Sequence, residues 1–154
     1  MNILGKKGLG NILKIILIIG FVIAIPIIII SPFILEHTSK SIYSMFIIYP
    51  NGIFMLAITF QFIRLFQSLE DNMPFTLKNV SLLKKTGILS LIMSILWIID
   101  LLFMIFIIKN TYINYVIILI FLAVLFFGVA VALYILSELL RQATEYKEEN
   151  DLTI

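Results

Sequence analysis

Four uninterrupted apolar stretches, Ile12–Leu35, Ile42–Phe66, Ile88–Ile108 and Tyr112–Leu140, constrain this chain more than any motif in it. A helix needs about 20 residues, rising 1.5 Å each, to cross a hydrocarbon layer of ~30 Å. Each stretch is long enough. Lipid offers no partner to an open backbone, so the stretches must close their hydrogen bonds internally, as helices. A transmembrane barrel would alternate polar and apolar residues, and runs such as Ile27–Ile30 and Phe103–Ile108 do not. Composition agrees: the chain is 62% hydrophobic and 13% charged, against about 45–50% and 25% in soluble domains. With 154 residues there is room for one domain. The fold class predicted is an all-α integral membrane protein, residues 1–154, with its apolar surface hidden in lipid.

The connectors are unequal. Glu36–Ser41 and Lys109–Thr111 are short turns, so the spans are expected as two hairpins, joined by a polar loop over residues 67–87 and followed by a tail over 141–154. Orientation follows from the basic residues, which collect on the cytoplasmic side. Lys6, Lys7, Lys14, Arg64, Lys78, Lys84, Lys85, Arg141 and Lys147 fall on one side, and only Lys40 and Lys109 on the other. Both termini and the central loop are therefore expected in the cytoplasm. The N-terminus begins like a signal peptide, but its apolar run is too long and ends without a small-x-small cleavage site. An uncleaved first span is expected.

In the loop, Pro74 excludes a helix interior and biases Met73 toward extended backbone. Thr76 is then an N-cap candidate. Leu77, Val80 and Leu83 share one face and Lys78, Ser81 and Lys85 another, which predicts a short amphipathic helix over Leu77–Thr86 on the inner leaflet, joining span three near Gly87. Past span four, Leu136, Leu139, Leu140, Ala143 and Tyr146 continue a helical stripe, and Glu138, Arg141 and Glu145 are spaced to pair along the surface. The segment Glu138–Ile154 holds five acids and two bases, net −3; Arg64–Thr86 holds four bases and two acids, net +2. Opposite charge on one side of the membrane predicts that tail and loop meet.

The residues Asn72-Met73-Pro74-Phe75-Thr76-Leu77-Lys78-Asn79-Val80, then Leu82-Leu83-Lys84-Lys85-Thr86-Gly87, resemble the loop of the bacterial DUF2975 membrane-protein family. The ending Glu138-Leu139-Leu140-Arg141-Gln142 and Glu148-Glu149-Asn150-Asp151-Leu152-Thr153-Ile154 is similar to that family's ending. The length and the four-span layout fit it too. The resemblance implies a bacterial cell-membrane protein of unknown function. Members are often encoded beside a small helix-turn-helix regulator, which implies a regulatory pairing. The family offers no catalytic residues to carry over.

Asp100 is the sharpest anomaly, eight residues inside the outer end of span three. A lone acid there costs roughly 2.5–3.5 kcal/mol on insertion scales, so it should face the bundle or a cavity. In span two, Tyr49-Pro50-Asn51-Gly52 is the counterpart: counted inward, Asn51 and Asp100 lie at about the same depth, ~12–15 Å. This intramembrane pair is read either as a proton- or ion-responsive site or as a protonated or hydrogen-bonded acid that ties helices together. Arg64 and Glu138, at the inner ends of spans two and four, are expected to form a salt bridge that closes the bundle. Pro74, Phe75, Asn79, Lys84, Lys85, Glu138, Arg141, Leu152 and Ile154 are the expected cytoplasmic contact residues.

Other candidates have plainer readings. The lone His37 lies in an outer turn, where solvation is its ordinary fate. Glu145, Glu148, Glu149 and Asp151 lack the spacing and glycine of a calcium loop and read as a solvated helix face. Phe121, Phe126, Phe127 and Tyr134 read as packing and lipid contact, and Trp97 lies too deep for an interfacial anchor. The absence of Cys excludes disulfides and thiol chemistry, and a net charge of +2 is too small to argue for direct nucleic-acid binding. No two titratable groups form an acid/base arrangement, so no enzyme, cofactor or metal is expected. Two functions remain open. One is a non-enzymatic membrane regulator or sensor engaging a cytoplasmic partner. The other is a small transporter, homo-oligomeric or a subunit of a larger complex, using Asp100 in a polar pathway.

Overall fold

The computed structural model describes residues 9–34, 41–70, 76–108 and 113–151. Helix α1 spans Leu9–Ile34, α2 Ser41–Glu70, α3 Leu77–Phe103 and α4 Ile113–Asp151. After Phe103 the backbone widens into a π-helical turn, Met104–Ile108. All four helices are long and apolar enough to cross a membrane, and the described residues contain no strand. Their outward faces are apolar: Ile16, Val22, Phe106, Phe121, Val124 and Phe127 are each more than half exposed. In water such a surface would drive association; against acyl chains it is the compatible surface.

Packing runs in chain order. Among the described residues α1 touches only α2, α2 also touches α3, and α3 is covered most extensively by α4. Neighbours are antiparallel. On the first interface, the Phe21 and Phe60 rings lie 6.3 Å apart. At Gly52 an added Cβ would fall 2.9 Å from Ile28 side-chain carbons, so a side chain there would hold the helices apart. The core is small: Ile58, Met93 and Phe126 bring α2, α3 and α4 together, with Phe54, Phe62, Leu89, Leu96 and Trp97 packed around them.

The third and fourth helices are seated by small residues. Ala123, Ala130, Ser137 and Thr144 recur at every seventh position of α4, with Phe126 and Leu133 between them, and all are buried. A strict seven-residue repeat keeps one seam of a helix facing its partner, and small residues let two backbones approach where lipid supplies no hydrophobic drive. An added Cβ at Gly87 would lie 3.3 Å from the Ala130 carbonyl oxygen. Opposite the same seam, Ser94 Oγ donates to Ala123 O at 2.8 Å.

One sequence expectation changes in its bounds. Leu77–Thr86, read as an amphipathic helix running into span three near Gly87, forms the opening turns of one continuous α3. Gly87 is a point of close approach to α4. Most of the loop placed at residues 67–87 is helical, because α2 runs on to Glu70 and α3 opens at Leu77. Thr76 does cap α3: its backbone is extended (φ −142°, ψ 144°) and its Oγ1 accepts from Asn79 N at 3.3 Å.

Candidate functional site

Asn51 on α2 and Asp100 on α3 meet between the helices. Asn51 Nδ2 donates to Asp100 Oδ2 at 2.6 Å and to Ile47 O, one turn back on its own helix, at 2.8 Å. Both residues are buried, each 7% exposed. The local sequence explains the arrangement. Pro50 sits inside α2 and lacks the N–H that would close that turn, so the helix is loosened where Asn51 turns toward α3. Just past Asp100, the Met104 N–H is shared between the carbonyls of Asp100 and Leu101, and the π turn begins. Such turns interrupt a regular helix and recur at functional sites. The Asp100 carboxyl is thus flanked by two departures from regular helix.

The chemistry of the pair is one-sided. Both hydrogens of the Asn51 amide nitrogen are engaged, while its Oδ1 is buried with no partner among the described residues. Asp100 Oδ2 is paired, and its side chain lines a cavity of about 240 Å³ with Ile47, Ile99 and Phe103. What the site has left to offer is acceptors.

The register that joins Asn51 to Asp100 continues down the bundle. Seven residues along α2 and seven back along α3, Ile58 and Met93 share the core cluster. Three residues further, the same register sets Gln61 level with Ser90. Gln61 Oε1, Ser90 Oγ and Trp97 Nε1 are buried and have no partner among the described residues. Each such group costs about 1–3 kcal/mol if it stays dry. Sequence reasoning passed over this belt and the small-residue seam, although the seven-residue spacing on α4 was visible.

At the other end the structure separates residues expected to act together. Arg64 and Glu138 are not paired: the α2 and α4 backbones do not approach closely, and the two helices meet only through the core side chains around Met93. Arg64 instead lies over the Phe60 ring, 5.4 Å from its centroid. Glu138 is taken by Arg141, whose Nε donates to Glu138 Oε2 at 3.1 Å and whose Nη1 donates to Glu145 Oε1 at 2.6 Å. The shorter reach along one helix wins over a bridge between helices whose backbones stay apart. Lys84 is close enough to Glu138 for their charges to attract. Lys84 and Lys85 are exposed, whereas Asn79 is 0% exposed and offers no surface to a partner. Pro74, Phe75, Leu152 and Ile154 lie outside the described residues. No three His, Asp or Glu side chains gather in a metal-holding group among the described residues.

Fold and site together define a multi-pass, all-helical membrane protein with a buried Asn–Asp pair between two of its helices. The chain belongs to the DUF2975 family, proteins of unknown function, with a match over residues 15–154. No curated protein and no solved structure matches it.

Proposed function

We propose that this protein is a non-enzymatic regulator of the bacterial cell membrane, whose cytoplasmic end engages a soluble partner. The nine-to-two split of basic residues supports a cytoplasmic position for both termini and the α2–α3 connection. The observation that carries the proposal is the length of α4. Its 39 residues extend about 58 Å at 1.5 Å per residue, nearly twice the hydrocarbon thickness. Its last turns therefore stand beyond the lipid. They present Tyr146, more than half exposed, beside the Glu138–Arg141–Glu145 chain and in line with Leu139 seven residues earlier at the end of the span. A helix kept only for anchorage has no use for an apolar stripe in water. The family resemblance suggests a helix-turn-helix regulator as the partner.

Capture of the tagged chain from solubilised membranes tests this. Recovery of a soluble DNA-binding regulator, reduced when Leu139 and Tyr146 are replaced by Ser, is the expected result. Recovery of an ATPase, or only of further copies of the chain, would instead favour transport. Asp100 beside a cavity is the observation on the side of that second reading.

A further inference from the structure

We infer that the cavity beside Asp100 is a binding site, reached from the lipid, for an amine that carries at least one N–H on a small apolar body. The walls Ile47, Ile99 and Phe103 are apolar, and Asp100 is the polar group among the lining residues. Asp100 is 93% buried by the complement of its 7% exposure, and Asn51 fixes it through Oδ2 alone. Asn51 engages Oδ2, which leaves Oδ1 as the oxygen available to the cavity that Asp100 lines. In its ionised form, which an ammonium partner would favour, the carboxyl offers Oδ1 as an acceptor and not as a donor. Anions and pure acceptors are rejected there, because a buried polar group facing another acceptor loses its hydrogen bond and gains repulsion. A bare metal ion is also a poor fit, since hard cations need six or more oxygens and no group of three metal-binding side chains forms among the described residues. An alkyl- or arylammonium meets both demands at once: its N–H bonds Oδ1 with charge assistance, and its body fills the apolar remainder. About 240 Å³ suits a single ring or a short chain. Because Asp100 lies deep along the helix, the ligand is a free amine in preference to a tethered lipid head group. The site does not depend on the cytoplasmic partner proposed above.

The test uses the full chain in phosphatidylcholine nanodiscs with radiolabelled 2-phenylethylamine as the probe, read as saturable uptake above that of empty discs. Saturable binding is expected, and the N,N,N-trimethyl analogue, which keeps the charge but has no N–H, should bind at least tenfold more weakly. Asp100→Asn keeps an acceptor for Asn51 and preserves the pair, yet should lower affinity at least tenfold. Ile99→Phe, which fills the cavity without touching the carboxyl, should do the same. Repeating the measurement with phosphatidylethanolamine in the discs separates the sources: competition by that lipid identifies its ammonium head group as the resident amine, and unchanged affinity identifies a free amine. Equal binding of the amine and its trimethyl analogue, or of the parent chain and Asp100→Asn, overturns the proposal, as does the absence of saturable uptake.

Discussion

Asn51 and Asp100 are 49 positions apart in the chain, and the amide nitrogen of one lies 2.6 Å from a carboxylate oxygen of the other. The bond ties α2 to α3 at a depth where neither residue reaches water easily. Interhelical hydrogen bonds inside membranes contribute about 0.6 kcal/mol on average and up to ~1.7. The pair therefore holds position more than it holds the fold. In a double-mutant cycle of Asn51→Leu and Asp100→Leu, followed by unfolding in mixed micelles, a coupling within that range is expected. Asp100→Asn alone should leave the unfolding midpoint near that of the parent. A coupling near zero would mean the contact is not made in the membrane.

Glycine substitutions should divide by what surrounds them. Nothing lies within 4 Å of a Cβ added at Gly20 or Gly128. Gly20→Ala and Gly128→Ala should be neutral or stabilising by about 0.5–1 kcal/mol, the usual gain of removing a helix glycine. Gly87→Leu should lower thermal stability, because its side chain must enter the space of the Ala130 carbonyl and Leu133. Gly52→Leu should do so through Ile28. Destabilisation by the first pair of equal size to that by the second would contradict the packing described.

Topology is directly measurable, since the chain has no native cysteine. His37→Cys and Asn110→Cys should react with an impermeant maleimide in intact cells, while Asn72→Cys and Glu148→Cys should react only after permeabilisation. Labelling of position 72 from outside would reverse the orientation and remove the basis for a cytoplasmic partner.

The charge attraction between Lys84 and Glu138 is also testable. Lys84→Glu should weaken partner retention at low salt, and Lys84→Glu with Glu138→Lys should recover part of it. Both effects should fade as ionic strength rises and the screening length contracts. Removal of residues 151–154 should leave membrane insertion intact and reduce retention further, since apolar contact carries more affinity than exposed charge pairs. Retention unchanged by either alteration would reduce the tail to a solubilising end.

Sequence periodicity exposed the four helices because hydropathy runs are long and their interruptions polar. The Asn51–Asp100 pairing was legible by depth counting, as both residues are rare kinds in an apolar setting. The Glu138–Arg141–Glu145 chain followed from spacing alone. Other features depended on contacts that a linear reading cannot weigh. Gly87 only marked where the amphipathic pattern ran into span three, but here it admits a neighbouring backbone. Asn79 looked like surface, being polar beside lysines, yet it is buried. Arg64 and Glu138 were matched by depth, but depth says nothing of which helices touch.

The order of packing has a mechanical consequence. The interface between α2 and α3 is the sparsest of the three between helices, and Gln61 on α2 and Ser90 and Trp97 on α3 carry buried polar atoms without partners among the described residues. The small-residue seam, by contrast, locks α4 to α3. The bundle is therefore best viewed as two plates, α1 with α2 and α3 with α4, that meet along a weak plane. Sliding along that plane forfeits few polar bonds, and the Asn51–Asp100 contact is the latch across it. Labels placed on Phe54 and Leu96, which pack on the core from the two sides of that plane, would report any displacement of one plate against the other.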